Sequence, residues 1–342
     1  MTGLLSDEQI EEIVRAAGTA PSMHNTQPWQ FCVAADGSLE LYGDPGRTLW
    51  VADPQGRALY LGCGAALFNA RLAIRMTGHE PLVRPLPHPE HPPTLLAIVA
   101  RGRGTQPTAA ERELYDAIWR RHTNRRPFTG QAVPKPVQVA MEQAARAEAA
   151  SLRMLSRPDA ETVLNLSERA RRRLADDRGY QDELRRWVAT GSREDGIPAS
   201  ALPLRPDREP APVRDYAVSA AVGAERPAAT YERYPQLAVL STERDEPADW
   251  LRAGEALQRL LLTATVNGVS ASFLFEPIEL MDMLDMDPRP WPWPEHPQMI
   301  IRFGYGPPVP ATPRRKLEDI LRRGQYAQSE GTAELASELL AA

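Results

Sequence analysis

Apolar residues recur along this chain with two spacings, one typical of helices and one typical of strands. Helical spacing predicts a first helix over residues 4–17, whose apolar face is formed by Ile10, Ile13, Val14 and Ala17. Ser6 suits its N-cap, and Gln9 three positions later completes a capping box. From Trp29 apolar and polar residues alternate instead, which predicts a strand directly after the helix and its turn.

The same two spacings predict the remaining elements. Residues 29–34 and 38–42 flank an Asp-Gly pair and predict a β-hairpin. A long apolar-faced helix over 59–77, a proline-rich linker over 81–93 and a buried strand over 95–100 follow. Later helices are predicted over 109–121, 138–150, 160–176, 182–189 and 250–266. Later strands are predicted over 152–155, 237–241, 270–275 and 299–303.

Two distant parts of the chain share a pattern of small and apolar residues. Gly64, Ala66, Leu67, Leu72 and Gly78 recur as Gly254, Ala256, Leu257, Leu262 and Gly268, at an offset of 190 residues. Self-similarity at a long, fixed offset predicts a duplicated unit. The alternative is chance, because helix cores draw on few residue types.

Composition and charge narrow the class of protein. The 342 residues suffice for two domains, and 42% hydrophobic with 25% charged residues is typical of a globular protein. A formal charge of −5 gives no support to nucleic-acid binding, and two cysteines indicate a reducing compartment. Residues 1–12 lack the pattern of a signal peptide, and no window approaches the roughly 18 apolar residues of a membrane span. We therefore expect a cytoplasmic protein without a membrane partner.

The turn between the first helix and the first strand, residues 20–29, is a candidate ligand site. Pro21 stops the helix, and Ser22, Asn25 and Gln27 bring polar side chains into the turn. Turns held between rigid elements often bind ligands. In the alternative interpretation, Ser22 and Asn25 only satisfy local backbone groups.

A basic segment is the second candidate. In an extended chain, Arg121, Thr123 and Arg125 would point to the same face. Two guanidinium groups and a hydroxyl on one face suit a phosphate group. The alternative is a solvent-exposed basic turn. Arg314, Arg315 and Lys316 form another basic cluster, which is either a polar tail or the completion of the same anion site.

These motifs resemble those of a known family. Residues 20–29, Ala-Pro-Ser-Met-His-Asn-Thr-Gln-Pro-Trp, resemble the A-P-S-S-x-N-x-Q-P-W signature of flavin-dependent nitroreductases, with Met23 in place of a small hydroxyl residue. Arg121-His-Thr-Asn-Arg125 resembles that family's R-x-S-x-[RK] motif. The whole chain is similar to the Acg-type tandem branch of the nitroreductase family.

The resemblance implies an α+β, nitroreductase-like fold in which two fused similar halves form an intramolecular pseudo-dimer. The halves would span residues 1–108 and 109–342, with residues 177–234 inserted as a lid over the cofactor. Because each motif occurs once, in opposite halves, the resemblance implies one FMN site per chain. With the dimer symmetry internal, a monomer is as compatible with the sequence as a homodimer.

The resemblance also assigns residues to FMN. Arg121, Thr123 and Arg125 would contact the phosphate and ribityl chain, with Arg314 and Arg315 contributing from the tail. The turn of the other half would line the flavin through Pro21, Ser22, Met23, His24, Asn25 and Gln27. Residues 272–276 would meet the ring near N5, among them Ser272, Phe273 and Leu274. No catalytic side chain and no metal ligand is assigned.

Two functions follow from the resemblance. The first is an FMN-dependent oxidoreductase that takes a hydride from NAD(P)H onto flavin N5 and passes electrons to a nitroaromatic, a quinone or another small electrophilic acceptor. The second is a non-catalytic protein that stores or sequesters FMN beneath the lid. Access to the flavin distinguishes them.

Overall fold

The computed structural model describes residues 5–87, 95–189, 193–214, 216, 226–283 and 295–323. The first sheet and its helices come mainly from the first hundred residues. In chain order these elements are α1 (Asp7–Gly18), β1 (Trp29–Val33), β2 (Leu39–Gly43), α2 (Arg57–Met76), β3 (His79–Pro85) and β4 (Leu95–Gly104). Ser6 and Gln9 form the predicted capping box of α1, and the predicted hairpin joins β1 to β2.

The second sheet and the segments around it follow. The helices are α3 (Ala109–Ile118), α4 (Lys135–Ala147), α5 (Arg157–Ala175), α6 (Arg178–Trp187), α7 (Pro247–Val266), α8 (Glu276–Met283) and α9 (Leu317–Ile320). The longer strands are β5 (Ser151–Met154), β10 (Gln236–Thr242), β11 (Ser270–Phe273), β12 (His296–Gly304) and β13 (Leu321–Arg323). Short strands lie between α6 and β10: β6 (Val188–Ala189), β7 (Ile197–Pro198), β8 (Arg205–Pro206) and β9 (Ala228–Ala229).

The two sheets have the same strand order. The first contains β1-β2-β4-β3 and the second β5-β10-β12-β11, with antiparallel pairing throughout. In both sheets, the long helix follows the strand that comes second in chain order: α2 follows β2, and α7 follows β10. The first sheet gains one more strand, because β13 from the end of the chain pairs parallel with β1. The predicted α+β class is confirmed.

The long helices α2 and α7 cross between the two sheets and are buried along most of their length. Leu251 and Leu262 of α7 belong to the core of the first sheet, and Ala58 and Leu61 of α2 pack into a core beneath the second. Each helix therefore serves both cores. This dual burial explains why their sequences are apolar and rich in small residues on more than one face.

Several sequence predictions are corrected. Residues 79–85, assigned in part to a linker, form β3, which accommodates Pro81 and Pro85 because it is an edge strand. The helix predicted over 109–121 ends at Ile118, so Arg121 lies beyond it. β13 was not predicted.

The segment predicted as a lid, residues 177–234, contains α6 and the two pairs of short strands. Its apolar side chains, among them Leu184 and Ile197, pack against Leu49 and Ala52 of the first half. Residues 190–192, 215 and 217–225 of that segment lie outside the described residues. In the described ranges, no helix has the length and apolar character needed to cross a bilayer.

Candidate functional site

The turn after α1 has an unusual backbone. His24, Asn25 and Gln27 all adopt positive φ angles, of 50°, 57° and 51°. Such conformations are uncommon outside glycine and persist where the surroundings fix them. The hydroxyl oxygen of Ser22 accepts a hydrogen bond from the Gln27 amide at 2.9 Å, which closes the turn. This motif is therefore held in one shape by its own polar side chains.

Two arginines, the buried Arg121 and the partly buried Arg314, converge beside this turn. Nη2 of Arg121 donates to the Thr19 carbonyl oxygen at 3.2 Å, and Nη2 of Arg314 donates to the same oxygen at 3.0 Å. Within the described residues neither guanidinium pairs with a carboxylate, and the buried Nε of each has no hydrogen-bond partner. Burial and the neighbouring Arg314 lower the pKa of Arg121 to about 9, and burial lowers that of Arg314 to about 10.

A cavity of about 680 Å³ opens at Arg121, and we call it the basic pocket. It is lined by Arg120, Arg121, His122, Thr123, Leu261, Thr265, Gly268, Val269, Ser270, Ala271 and Phe273. Thr123 is brought there by a parallel bridge to Ala271 of β11, and the Asn124 amide donates to the Ala271 carbonyl at 2.8 Å. The basic segment thus lies along the edge of the second sheet.

A second cavity lies against the turn, and we call it the apolar pocket. The turn and α2 contribute Pro21, Ser22, Met23, His24, Ala58, Leu61 and Gly62. The second half and the lid contribute Arg125, Arg214, Tyr216, Leu257, Phe273, Phe275, Glu276 and Met299. Phe273 lines both pockets, so the basic pocket and the apolar pocket adjoin at this side chain. We call the two pockets together the cleft.

Two polar groups in the apolar pocket find no hydrogen-bond partner among the residues that the structure describes. His24 is buried, and its Nε2 atom is unbonded. Burial, together with Arg214 and Arg125, holds the pKa of His24 well below its usual range, so the imidazole is neutral at pH 7. Both carboxylate oxygens of Glu276 also lack a hydrogen bond, although Nε of Arg214 lies 3.7 Å from one of them.

Two residues of the segment predicted as a lid, Arg214 and Tyr216, line the apolar pocket. Arg214 forms a buried ion pair with Glu279, and the Tyr180 hydroxyl also donates to Glu279 at 3.0 Å. Tyr216 packs edge-on against His24, with ring centroids 6.1 Å apart, and its face lies 5.6 Å from the Arg125 guanidinium. The buried ion pair therefore fixes Arg214 beside the pocket.

The structure brings together part of the predicted site. Six predicted residues line the apolar pocket: Pro21, Ser22, Met23, His24, Arg125 and Phe273. Arg121, Thr123 and Phe273 line the basic pocket. Arg125 thus lies at the other end of the cleft from Arg121, whereas the sequence predicted one shared face.

Other predicted residues, Arg314 among them, line neither pocket. Ser272 and Leu274 are buried on either side of Phe273, because successive side chains of a strand alternate. Asn25 and Gln27 bond to the tail and the lid, and Arg315 donates to the carbonyl oxygens of Gln27 and Trp29. Asn25, Gln27 and Arg315 therefore link the turn to other segments without lining a pocket.

Sequence reasoning missed seven residues of the apolar pocket: Ala58, Leu61, Gly62, Arg214, Tyr216, Leu257 and Met299. The repeat marks Leu257 as the counterpart of Leu67, but no sequence pattern assigns it to a ligand site. Arg214 and Tyr216 come from the lid, where no sequence pattern marked them. Their position depends on the tertiary packing of an insertion.

A third cavity, of about 890 Å³, lies where the offset of 190 residues places the counterpart of the basic pocket. Its residues Arg71, Arg75, Glu80 and Pro81 correspond to Leu261, Thr265, Ser270 and Ala271. Here the arginines are paired: Arg71 with Glu148 and Glu255, Arg75 with Glu111, Arg103 with Glu80, and Arg259 with Glu148. We call it the charge-paired pocket, since carboxylates of the protein neutralise its arginines.

The fold and the cleft define a class of protein. It is an α+β protein with a cleft between its two sheets that is apolar at one end and basic at the other. A sequence profile described as the nitroreductase family matches residues 2–78. A Mycobacterium tuberculosis protein with the provisional name NAD(P)H nitroreductase Acg is 32% identical over 325 residues, covering 93% of this chain and 96% of that protein. A second protein of that organism, also provisionally named an NAD(P)H nitroreductase, is 32% identical over 330 residues, covering 92% and 91%.

The chain therefore belongs to the nitroreductase family, in its Acg-type branch. Among solved structures, a nitroreductase from Desulfitobacterium hafniense described with bound FMN matches with a TM-score of 0.38 and 12% identity, over 62% of this chain and 98% of that one. The assignment rests on the mycobacterial relatives.

Proposed function

We propose that this protein is an oxidoreductase of the nitroreductase type that binds one FMN in the cleft between its two sheets. The observation that carries the proposal is the convergence of two guanidinium groups, those of the buried Arg121 and the partly buried Arg314, which share one carbonyl acceptor and have no carboxylate partner in the described part of the chain. Two cations that share one acceptor away from water are costly unless an anion joins them. A phosphate supplies that anion with matched geometry.

The rest of the cleft fits a flavin attached to that phosphate. Thr123 and Arg121 would hold the phosphate and ribityl chain in the basic pocket. Phe273 and the turn of Pro21, Ser22, Met23 and His24 would contact the ring in the apolar pocket. His24 lines this pocket as a neutral group with an unbonded Nε2, which is compatible with an uncharged ring edge.

We further propose that the two halves form a pseudo-dimer with one site per chain. The equal strand order of the two sheets and the reciprocal contact of α2 and α7 support this. The charge-paired pocket supports it as well, because its own glutamates take the place that a phosphate would need.

Bound FMN would supply the redox chemistry, with NAD(P)H as hydride donor and a small electrophile as acceptor. The chain would contribute binding and orientation, and the residues of the lid would exclude water. The names of the mycobacterial relatives support this function. Anaerobic stopped-flow mixing of the FMN-loaded protein with NADPH or NADH tests it. We expect the flavin absorbance to bleach and to recover repeatedly when a quinone or nitroaromatic is added.

A second candidate function, sequestration of FMN, is favoured by one observation. Arg214 and Tyr216 of the lid line the apolar pocket, and Arg214 is anchored to Glu279. A nicotinamide would have to displace these side chains to stack on the ring. Bleaching by dithionite but not by either nicotinamide nucleotide would favour sequestration and reject the enzymatic function.

The Tyr216→Ala variant tests whether the lid limits the access of NADPH to the flavin. If the lid limits access, this variant should be reduced by NADPH at least ten times faster than the wild type. Tyr234→Ala is the matched control, since Tyr234 is 46% exposed and lies outside the cleft. Equal rates in all three proteins would show that Tyr216 does not limit access.

A further inference from the structure

A short stretch of the lid is hydrogen-bonded to the turn that follows α1. The Gly196 amide donates to the Asn25 carbonyl at 3.2 Å, and Nδ2 of Asn25 donates back to the Gly196 carbonyl at 2.9 Å. Nε2 of Gln27 donates to the Glu194 carbonyl at 2.8 Å. We call residues 194–196 the hook, because they fasten the lid to this turn.

The same Asn25 side chain also reaches the anion site. Its Oδ1 accepts a hydrogen bond from Nη1 of Arg314 at 3.1 Å, and its Nδ2 lies 3.1 Å from the carbonyl oxygen of Pro313. One buried amide group therefore bonds to the hook through its nitrogen and to an arginine of the anion site through its oxygen. Asn25 lines neither pocket.

We propose that Asn25 is a positioning residue that couples binding of an anion by Arg121 and Arg314 to closure of the lid. Oδ1 and Nδ2 belong to one planar amide group, so Nδ2 faces the Gly196 carbonyl when Oδ1 faces the Arg314 guanidinium. An anion that immobilises Arg314 therefore also fixes the Asn25 donor that bonds to the hook. Coupling between two sites is reciprocal, so a closed hook raises the affinity for the anion. The proposal rests on the proposed function, since it takes the arginine pair as the phosphate site.

Arg47 provides a matched control. Its Nη1 donates to the Asp195 carboxylate and to the Thr26 carbonyl oxygen, both at 2.9 Å. Arg47 therefore ties the hook to the turn without contacting Arg314. Arg47→Ala should loosen the hook and leave the contact between Asn25 and Arg314 intact.

Hydrogen exchange of the apoprotein tests the coupling, with inorganic phosphate as the probe and chloride at equal ionic strength as the reference. In the wild type and in Arg47→Ala, phosphate should slow exchange of the hook amides at least five-fold. In Asn25→Ala, phosphate should leave their exchange unchanged, and its affinity should fall about ten-fold. Arg47→Ala should lower phosphate affinity less than Asn25→Ala does, because the contact between Asn25 and Arg314 stays intact.

Asn25→Asp covers the case in which Asn25→Ala does not fold. It keeps an acceptor for Arg314 and lacks the donor to Gly196, so phosphate should again fail to protect the hook. Equal behaviour of Asn25→Ala and Arg47→Ala in both measurements would overturn the proposal, as would protection by phosphate in Asn25→Asp. If the wild type binds neither phosphate nor FMN, the proposed function itself fails; if FMN binds and the hook does not respond, only the coupling fails.

Discussion

Gly64 of α2 and Gly254 of α7 face each other where the two long helices cross. A Cβ built on Gly64 would lie 2.0 Å from the Leu251 carbonyl oxygen, and one built on Gly254 would lie 2.3 Å from that of Leu61. The contact is reciprocal at the offset of 190 residues, as in a symmetric interface between two copies. These two glycines set the distance between α2 and α7.

We therefore expect Gly64→Ala and Gly254→Ala to destabilise the protein by at least about 3 kcal/mol each, because the backbones must separate to admit a methyl group. Urea unfolding followed by circular dichroism measures this. Gly130→Ala is the control, since a Cβ there meets nothing within 4 Å. A loss at Gly64 no larger than at Gly130 would contradict the close crossing.

Removing one charge of the arginine pair should stabilise the apoprotein. Arg121→Met replaces a buried cation without a carboxylate partner by an apolar side chain of similar length, and we expect a gain of about 1–2 kcal/mol in the free energy of unfolding. Urea unfolding in phosphate-free buffer measures it, with Arg173→Met on the exposed face of α5 as the control. A destabilised Arg121→Met would indicate that Arg121 is paired in the apoprotein.

His24 should make the stability of the apoprotein sensitive to acid. Because the pKa of His24 is lowered in the folded state, the unfolded state binds the proton first as the pH falls below about 6.5. Between pH 7.5 and 5.5 the wild type should lose about 1.4 kcal/mol more stability than His24→Asn, a substitution that tolerates the positive φ angle. Unfolding curves at both pH values measure this difference. Parallel losses would show that His24 is protonated in the fold.

The buried ion pair of the lid should matter far more than an exposed one nearby. Glu279→Gln leaves Arg214 without its nearest carboxylate, and we expect a loss of about 3 kcal/mol. Asp182→Asn removes the exposed partner of Arg185 on α6 and should cost less than about 0.5 kcal/mol. Thermal unfolding of both variants measures the contrast. Equal losses would mean that Arg214 is solvated.

Local periodicity was enough to predict most of the fold. The helix predicted over 59–77 is Arg57–Met76, and the one predicted over 250–266 is Pro247–Val266, because their apolar spacing continues for five turns. β13 has only three residues, two of them exposed arginines, and its partner β1 lies near the other end of the chain. No local pattern marks a strand that forms only through such a distant pairing.

The residues of the site could be predicted from motifs, but the directions of their side chains could not. Alternation indicated Arg121 and Thr123, which do share the basic pocket, but Arg125 lines the apolar pocket instead. The turn motif indicated Asn25, whose side chain bonds to the tail and the hook instead of facing either pocket. Which way a polar side chain points depends on partners far away in sequence.

The most direct test of the central claim compares FMN with riboflavin, which lacks the phosphate, in titrations of the apoprotein followed by flavin fluorescence. We predict one FMN per chain and a preference for FMN over riboflavin of at least 100-fold, because each charged hydrogen bond contributes about 1.5–3 kcal/mol. In Arg121→Met and Arg314→Met the preference should fall at least ten-fold, with riboflavin affinity little changed, whereas Arg173→Met should match the wild type. Equal affinity of the wild type for the two flavins, or an undiminished preference in both arginine variants, would contradict a phosphate site between Arg121 and Arg314.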